Sequence, residues 1–236
     1  MNGQTPSPTL VPRPRGLATA YDEHRHAILF YSLLLTMVSA PLLAALEFGG
    51  FGLRLMLAVN LMASVLGLRR GRGRSVLLMV TAAAVGTQML PPSLFAAGLP
   101  AAGLVFWSGI ALFTAAASAL FVLRAAVVET EHVYAAMSVY LLAGIFFGVL
   151  HWTIEQVWPG SYVPLAGRVG ALRLFDGIYF SFVTLTTVGY GDIVPASDVA
   201  RGLSITESVS GQLYLAVMIA RLVGSHLQNR NQRPRA

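Results

Sequence analysis

Apolar runs about the length of a bilayer crossing recur along this chain, separated by short polar or basic punctuation. The first covers residues 27–46 and is closed by the turn Glu47-Phe48-Gly49-Gly50. Residues 51–68 form a second, and a third begins at Ser75 and is ended or bent by Pro91-Pro92. The fourth covers 102–123 and is closed by Arg124, the fifth is 133–150, and the sixth is 199–223. A helix rises ~1.5 Å per residue, so about 20 apolar residues cross the ~30 Å hydrocarbon core. The pattern predicts six transmembrane helices. Between the fifth and sixth lies a shorter apolar piece, residues 175–186, FDGIYFSFVTLT. As a helix it is ~18 Å long and cannot span.

Composition agrees with a membrane protein. Hydrophobic residues make up 56% and charged residues 11% of the 236-residue chain, against about 25% charged in soluble domains. All of the 16 Lys+Arg residues are arginine, and their placement carries topology rather than nucleic-acid binding. If both termini are cytoplasmic, Arg13, Arg15, Arg25, Arg69, Arg70, Arg72, Arg74, Arg124, Arg221, Arg230, Arg233 and Arg235 lie inside. Only Arg54, Arg168, Arg173 and Arg201 lie outside, as the positive-inside rule requires. Absence of cysteine excludes disulfides and thiolate metal sites. The chain shows no paired carboxylates, metal-ligand spacing or nucleophile motif, so no enzyme and no bound cofactor is expected.

The run Thr187-Val188-Gly189-Tyr190-Gly191-Asp192 follows the short helix directly. Four TVGYG loops around one axis are the general pattern of a potassium filter, whose carbonyls replace the ion's hydration shell. For successive carbonyls to face one axis, alternate residues must leave the ordinary strand conformation, which Gly189 and Gly191 permit. The Thr187 hydroxyl adds one more oxygen. Five residues extend at most ~17 Å, so the loop is re-entrant rather than spanning.

From the fifth span through Leu222 the chain resembles the pore module of potassium channels, in particular prokaryotic six-transmembrane members of the pore-loop (voltage-gated-like) cation channel superfamily. The segment Gly211-Gln212-Leu213-Tyr214-Leu215 is similar to the inner helix of those members, and Gly211 stands where many carry a hinge glycine. The resemblance implies an all-α membrane protein with a re-entrant pore helix and filter between the fifth and sixth helices. It divides the chain into a disordered cytoplasmic arm (1–26), a four-helix domain (27–124), a linker (125–132), a pore domain (133–223) and a short cytoplasmic tail (224–236). Residues 27–124 resemble a voltage-sensor domain without gating charges. The implied function is passive, potassium-selective conduction through a homotetramer in a bacterial inner membrane, contacting lipid and not steeply voltage-gated. A weakly selective cation channel on the same scaffold and a potassium-uptake transporter subunit are the alternatives. With arm and tail short, control is expected from the filter, lipid, tension or an unidentified regulatory partner.

Individual residues carry two readings each. Thr187, Val188, Gly189, Tyr190 and Gly191 are the expected potassium ligands, with Thr186, Asp192, Tyr179 and Glu207 as supports. Gly211 is a hinge or a close-packing residue. With Gly211 toward the axis, helical spacing puts Leu215, Ile219 and Val223 on one stripe, lining a cavity or packing as core, with Gln212 beside them. Glu207, an acid at membrane depth, braces the pore helix or acts as a protonatable gate. Arg124 is an interface anchor rather than a sensor charge, because no other charge lies between residues 98 and 123. Arg69 to Arg74 set topology before they bind anionic lipid. His132 and His151, the latter placed with Trp152 and Trp158 at the outer interface, sense protons or do nothing special. In some channels of the resembled family a pore-helix carboxylate partners the filter aspartate; Val183 stands at that position here. Voltage-gated relatives use an aromatic donor instead, which in this chain points to Tyr179 rather than Phe180.

Overall fold

The computed structural model describes residues 17–45, 49–66, 78–79, 81–82, 85–86, 99–124, 129–164 and 172–231. Six helices organise them: α1 (Leu17–Ala45), α2 (Gly49–Leu66), α3 (Leu99–Arg124), α4 (Thr130–Val157), α5 (Leu174–Leu185) and α6 (Asp198–Asn231). Two short strands, β1 (Tyr162–Pro164) and β2 (Ile193–Pro195), pair antiparallel with Val163 opposite Val194. Among the described residues three helices are long and apolar enough to cross a membrane: His24–Leu42, Thr130–Val157 and Asp198–Ser225. Leu55–Val65, Gly109–Arg124 and Leu174–Leu185 are shorter apolar helices. The expected third span lies largely outside the described residues, and Pro91-Pro92, the Arg69–Arg74 run and residues 165–171 lie wholly outside them.

Several boundaries differ from the sequence pattern. α1 begins at Leu17, inside the stretch expected to be a disordered arm, and carries a non-helical kink at His24 (φ −120°, ψ 17°). α4 continues past residue 150 to Val157, and α6 continues past 223 to Asn231. Neither extension contains proline, and the one glycine in them, Gly224, costs a helix interior only ~1 kcal/mol.

α4 is the central post. It packs against α1, α3, α5 and α6, and one apolar core runs through Leu33, Leu57, Val65, Ala115, Leu142 and Val149 to Ile178 on α5. Polar side chains join the first helices without charge: Asn60 Nδ2 donates to Thr36 Oγ1 at 2.6 Å, and Ser64 Oγ to Thr114 Oγ1 at 3.2 Å. Toward the other end, Tyr214 Oη on α6 donates to Ala136 O on α4 at 2.6 Å. Arg221 Nε donates to Val122 O in the last turn of α3 at 3.0 Å, where a cation also favours the helix dipole.

The approach of α5 to α4 depends on two glycines. A Cβ on Gly148 would sit 2.5 Å from Ile178 Cα, and one on Gly177 would sit 2.7 Å from Gly148 O. Small residues allow this close backbone crossing in a membrane helix pair. Because the obstacle at Gly148 is backbone, it cannot swing aside. Gly148→Ala should therefore destabilise the fold by about 1–3 kcal/mol. Gly109→Ala, with nothing within 4 Å of the new methyl, should be neutral or stabilising. Thermal unfolding of both variants in detergent measures the difference, and equal midpoints would contradict the packing.

Candidate functional site

The site grows from the end of α5. The hydrogen-bond ladder of the helix closes with Thr186 N donating to Phe182 O (3.0 Å) and Thr187 N to Thr184 O (3.0 Å). Val188 N and Gly189 N then both donate to Val183 O, at 2.9 and 3.3 Å. The chain is thus bent back over the helix C-terminus, whose negative dipole end faces the same side as the start of the expected filter. Beyond that bend, Thr187, Gly189 and Gly191 have φ of 60°, 57° and 76°. Alternate residues stand in the left-handed region, as a row of carbonyls turned the same way requires. Glycine adopts this region freely, while a β-branched residue such as Thr187 does so only under strain. Sequence reasoning located the two glycines and missed that Thr187 shares their conformation; its place one step earlier in the alternation was the available signal.

Residues 186 to 191 are exposed in the chain, so the candidate ion-facing strand is not covered by its own fold. Asp192 behind it is held from two sides. Tyr179 Oη on α5 donates to Asp192 Oδ2 at 2.8 Å, and Ile193 N donates to Asp192 Oδ1 at 3.1 Å. Tyr140 Oη on α4 donates to Leu185 O at 3.2 Å, fixing the last turn of α5. The other end of α5 is closed by Arg173, which donates to Asp176 through its backbone N at 3.1 Å and its Nε at 2.9 Å.

Glu207 on α6 is fully buried. Its Oε2 lies 2.7 Å from His151 Nε2, and its Oε1 contacts Ser181 Oγ on α5. His151, expected at the outer interface with Trp158, is itself fully buried, while Trp158 is exposed. The correction has a plain cause: α4 runs on past residue 150, so His151 lies within the helix, facing α6. Its Nδ1 contacts Tyr162 Oη on β1. Burial pushes the Tyr162 hydroxyl above its ordinary range, which keeps it a donor. Glu155 anchors the same loop, accepting from Gly160 N and Tyr162 N, each at 3.0 Å. Neither Tyr162 nor Ser181 carried any signal in sequence, since each gains its meaning from three separate elements.

The remaining candidates divide. Gly211 is buried, and a Cβ there would sit 2.7 Å from Leu185 Cδ1, so in this chain it seats the end of α5 and α6 is helical through it. That is the close-packing reading, and it turns Gly211 toward α5. Gln212, Ile219 and Val223 are exposed, and Leu215 is half-buried. Leu215 and Ile219 border an apolar cavity of about 280 Å³ between α1, α4 and α6 of the same chain, a different place from the cavity expected on an axis between chains. His132 stacks on Phe121 at 4.6 Å and accepts from Glu129 N at 3.2 Å, so it caps α4. Arg124 ends α3 exposed. Among the described residues no group of three or more His, Asp or Glu forms a metal site.

Residues 135–225 match the family described as ion channel. The chain is 34% identical over 84 residues to a protein named two pore potassium channel c from Oryza sativa, a match covering 36% of this chain and 17% of that one. It is 30% identical over 88 residues to a voltage-gated potassium channel of Aeropyrum pernix, covering 37% and 26%. A voltage-gated potassium channel of Escherichia coli is 32% identical over 85 residues, covering 35% and 20%. The chain thus spans about a quarter or less of these relatives' lengths. No solved structure matches it. Over 135–225, the stretch that holds α5, the bend, the alternating backbone and most of α6, the chain is similar to the potassium channels of the pore-loop superfamily.

Proposed function

We propose that this protein is a potassium-selective channel that conducts passively through a homotetramer. The observation that carries the proposal is the alternation of left-handed backbone at Thr187, Gly189 and Gly191 within TVGYGD. Backbone carbonyls of Thr187, Val188, Gly189 and Tyr190, with the Thr187 hydroxyl, then replace the hydration shell of the ion. One strand supplies a quarter of such a cage, so four chains meet at one axis. α6 supports this assembly: Ile205, Val209, Leu213 and Val217, spaced four apart, are each more than half exposed on one apolar stripe. In the tetramer that face meets neighbouring chains or lipid. The Tyr179–Asp192 bond holds the outer mouth while ions exchange, and Glu207 braces α5 from behind. On this reading the chain lies in a plasma membrane with both termini inside, an orientation that the balance of arginines supports.

Gating is not steeply voltage-dependent on this reading. α3 carries its one charge, Arg124, in its last turn. Even crossing the whole field in four chains, Arg124 would supply only ~9 kcal/mol per 100 mV, and from a helix end it crosses little. Gating-current measurements should find no more than about one elementary charge per subunit; several per subunit would refute this.

Flux of potassium from liposomes holding the purified protein, with sodium and barium controls, tests the conduction itself. Gly189→Ala puts a methyl on a residue at φ 57°, where backbone strain opposes it even though nothing within the chain itself lies within 4 Å. At about 1–2 kcal/mol in each of four chains, the variant should lose conduction or its preference for potassium over sodium. Unchanged selectivity would remove the filter assignment.

Tyr179→Phe deletes a charge-assisted hydrogen bond of the kind that contributes ~1.5–3 kcal/mol. Current through the variant should decay faster during sustained opening while tetramers still form by cross-linking. Decay at the wild-type rate would mean that the bond does not hold the mouth.

A further inference from the structure

Behind the filter, Tyr162 on β1, His151 on α4, Glu207 on α6 and Ser181 on α5 form one buried line of contacts. It ends on a fifth group, the Gly144 carbonyl of α4, 2.7 Å from Ser181 Oγ. Three elements of the fold otherwise separate in sequence are joined by it to α5, the helix from which the filter hangs.

The protons of this line can be counted. A serine hydroxyl has one proton, and a carbonyl oxygen only accepts. If Ser181 donates to Gly144 O, its contact with Glu207 Oε1 must take a proton from the carboxyl. His151 Nε2–H then donates to Glu207 Oε2, and His151 Nδ1 accepts from the Tyr162 hydroxyl. Each contact holds one proton, each buried atom is matched, and the line bears no net charge. The ionised alternative leaves mismatches. Whenever Glu207 is a carboxylate, Ser181 must turn its proton to Glu207, and the 2.7 Å approach to Gly144 O contains none. With His151 protonated as well, Tyr162 would accept from Nδ1, and its own proton would face no acceptor in a hydrogen bond among the described residues. Two fully buried charges would also need to be desolvated, which such a pair seldom repays.

We propose that Glu207 is held as the neutral acid and that, as a hydrogen-bond donor to Ser181, it is a positioning residue for the filter. It pins α5 between α4 and α6. The functional part rests on the channel reading above; the protonation state does not. The groups around the line fit an uncharged centre. α4 presents His151, Tyr140 and Glu155, of which Glu155 is turned to the loop and occupied by Gly160 N and Tyr162 N. β1 presents Tyr162 and α5 presents Ser181, and the groups that touch the Glu207 carboxyl are His151 and Ser181.

Infrared spectroscopy of the full chain in liposomes at neutral pH, wild type against Glu207→Gln, tests the proton directly. The wild type should show the carbonyl band of a protonated carboxyl, and Glu207→Gln should lack it. Potassium flux tests the positioning role. The carboxamide of Glu207→Gln can donate to Ser181 and accept from His151, so its flux should stay within about twofold of wild type. Glu207→Ala leaves buried partners unmatched and should lose flux roughly tenfold or more. An absent band, or Glu207→Gln losing as much flux as Glu207→Ala, would overturn the proposal. If the wild-type protein passes no potassium, the channel reading fails while the infrared band still decides the state of Glu207.

Discussion

A bare cation at membrane depth is costly unless something replaces its water, and a backbone can do so only by turning its carbonyls one way. On the channel reading, that constraint governs the rest of this structure. An ordinary strand alternates its carbonyls, so every second residue must be moved into the left-handed region, which Thr187, Gly189 and Gly191 occupy. Such a backbone gains nothing from its own local geometry and persists only where the surroundings over-determine it. Much of the fold from α4 to α6 is understandable as that surrounding.

The support is layered. α5 approaches α4 at backbone distance through Gly148 and Gly177, and Gly211 lets α6 close on the last turn of α5 at Leu185. Tyr140 fixes the Leu185 carbonyl, and Tyr179 reaches Asp192 at the far side of the filter run. The line from Tyr162 to Gly144 O then ties α5 to the loop, α4 and α6 together. Apolar packing alone sets distance but leaves rotation about the helix axis soft. Directional bonds from Ser181 and Tyr179 fix which face of α5 meets which neighbour.

What could be read from sequence was what depends on short range. TVGYGD, the length of the helix before it, and the two glycines are local signals, and the alternation they imply is present in the backbone. Tyr179 was reached because only one of two adjacent aromatics has a donor hydroxyl. The polar core around Glu207 was not legible. His151 sat at the end of an apolar run and read as an interface residue, whereas a longer α4 buries it against Glu207, 56 positions away in sequence. Gly211 had two readings from spacing alone, and only the position of Leu185 separates them. The reach of α1 back to Leu17 was missed because low hydropathy in that stretch says nothing against a helix.

The account as a whole turns on whether the alternating backbone distinguishes potassium from sodium. The reversal potential of the reconstituted protein in a planar bilayer, with potassium on one side and sodium on the other, measures this most directly. The account predicts a reversal potential displaced strongly toward the potassium equilibrium value. A reversal potential near zero in that gradient would contradict it.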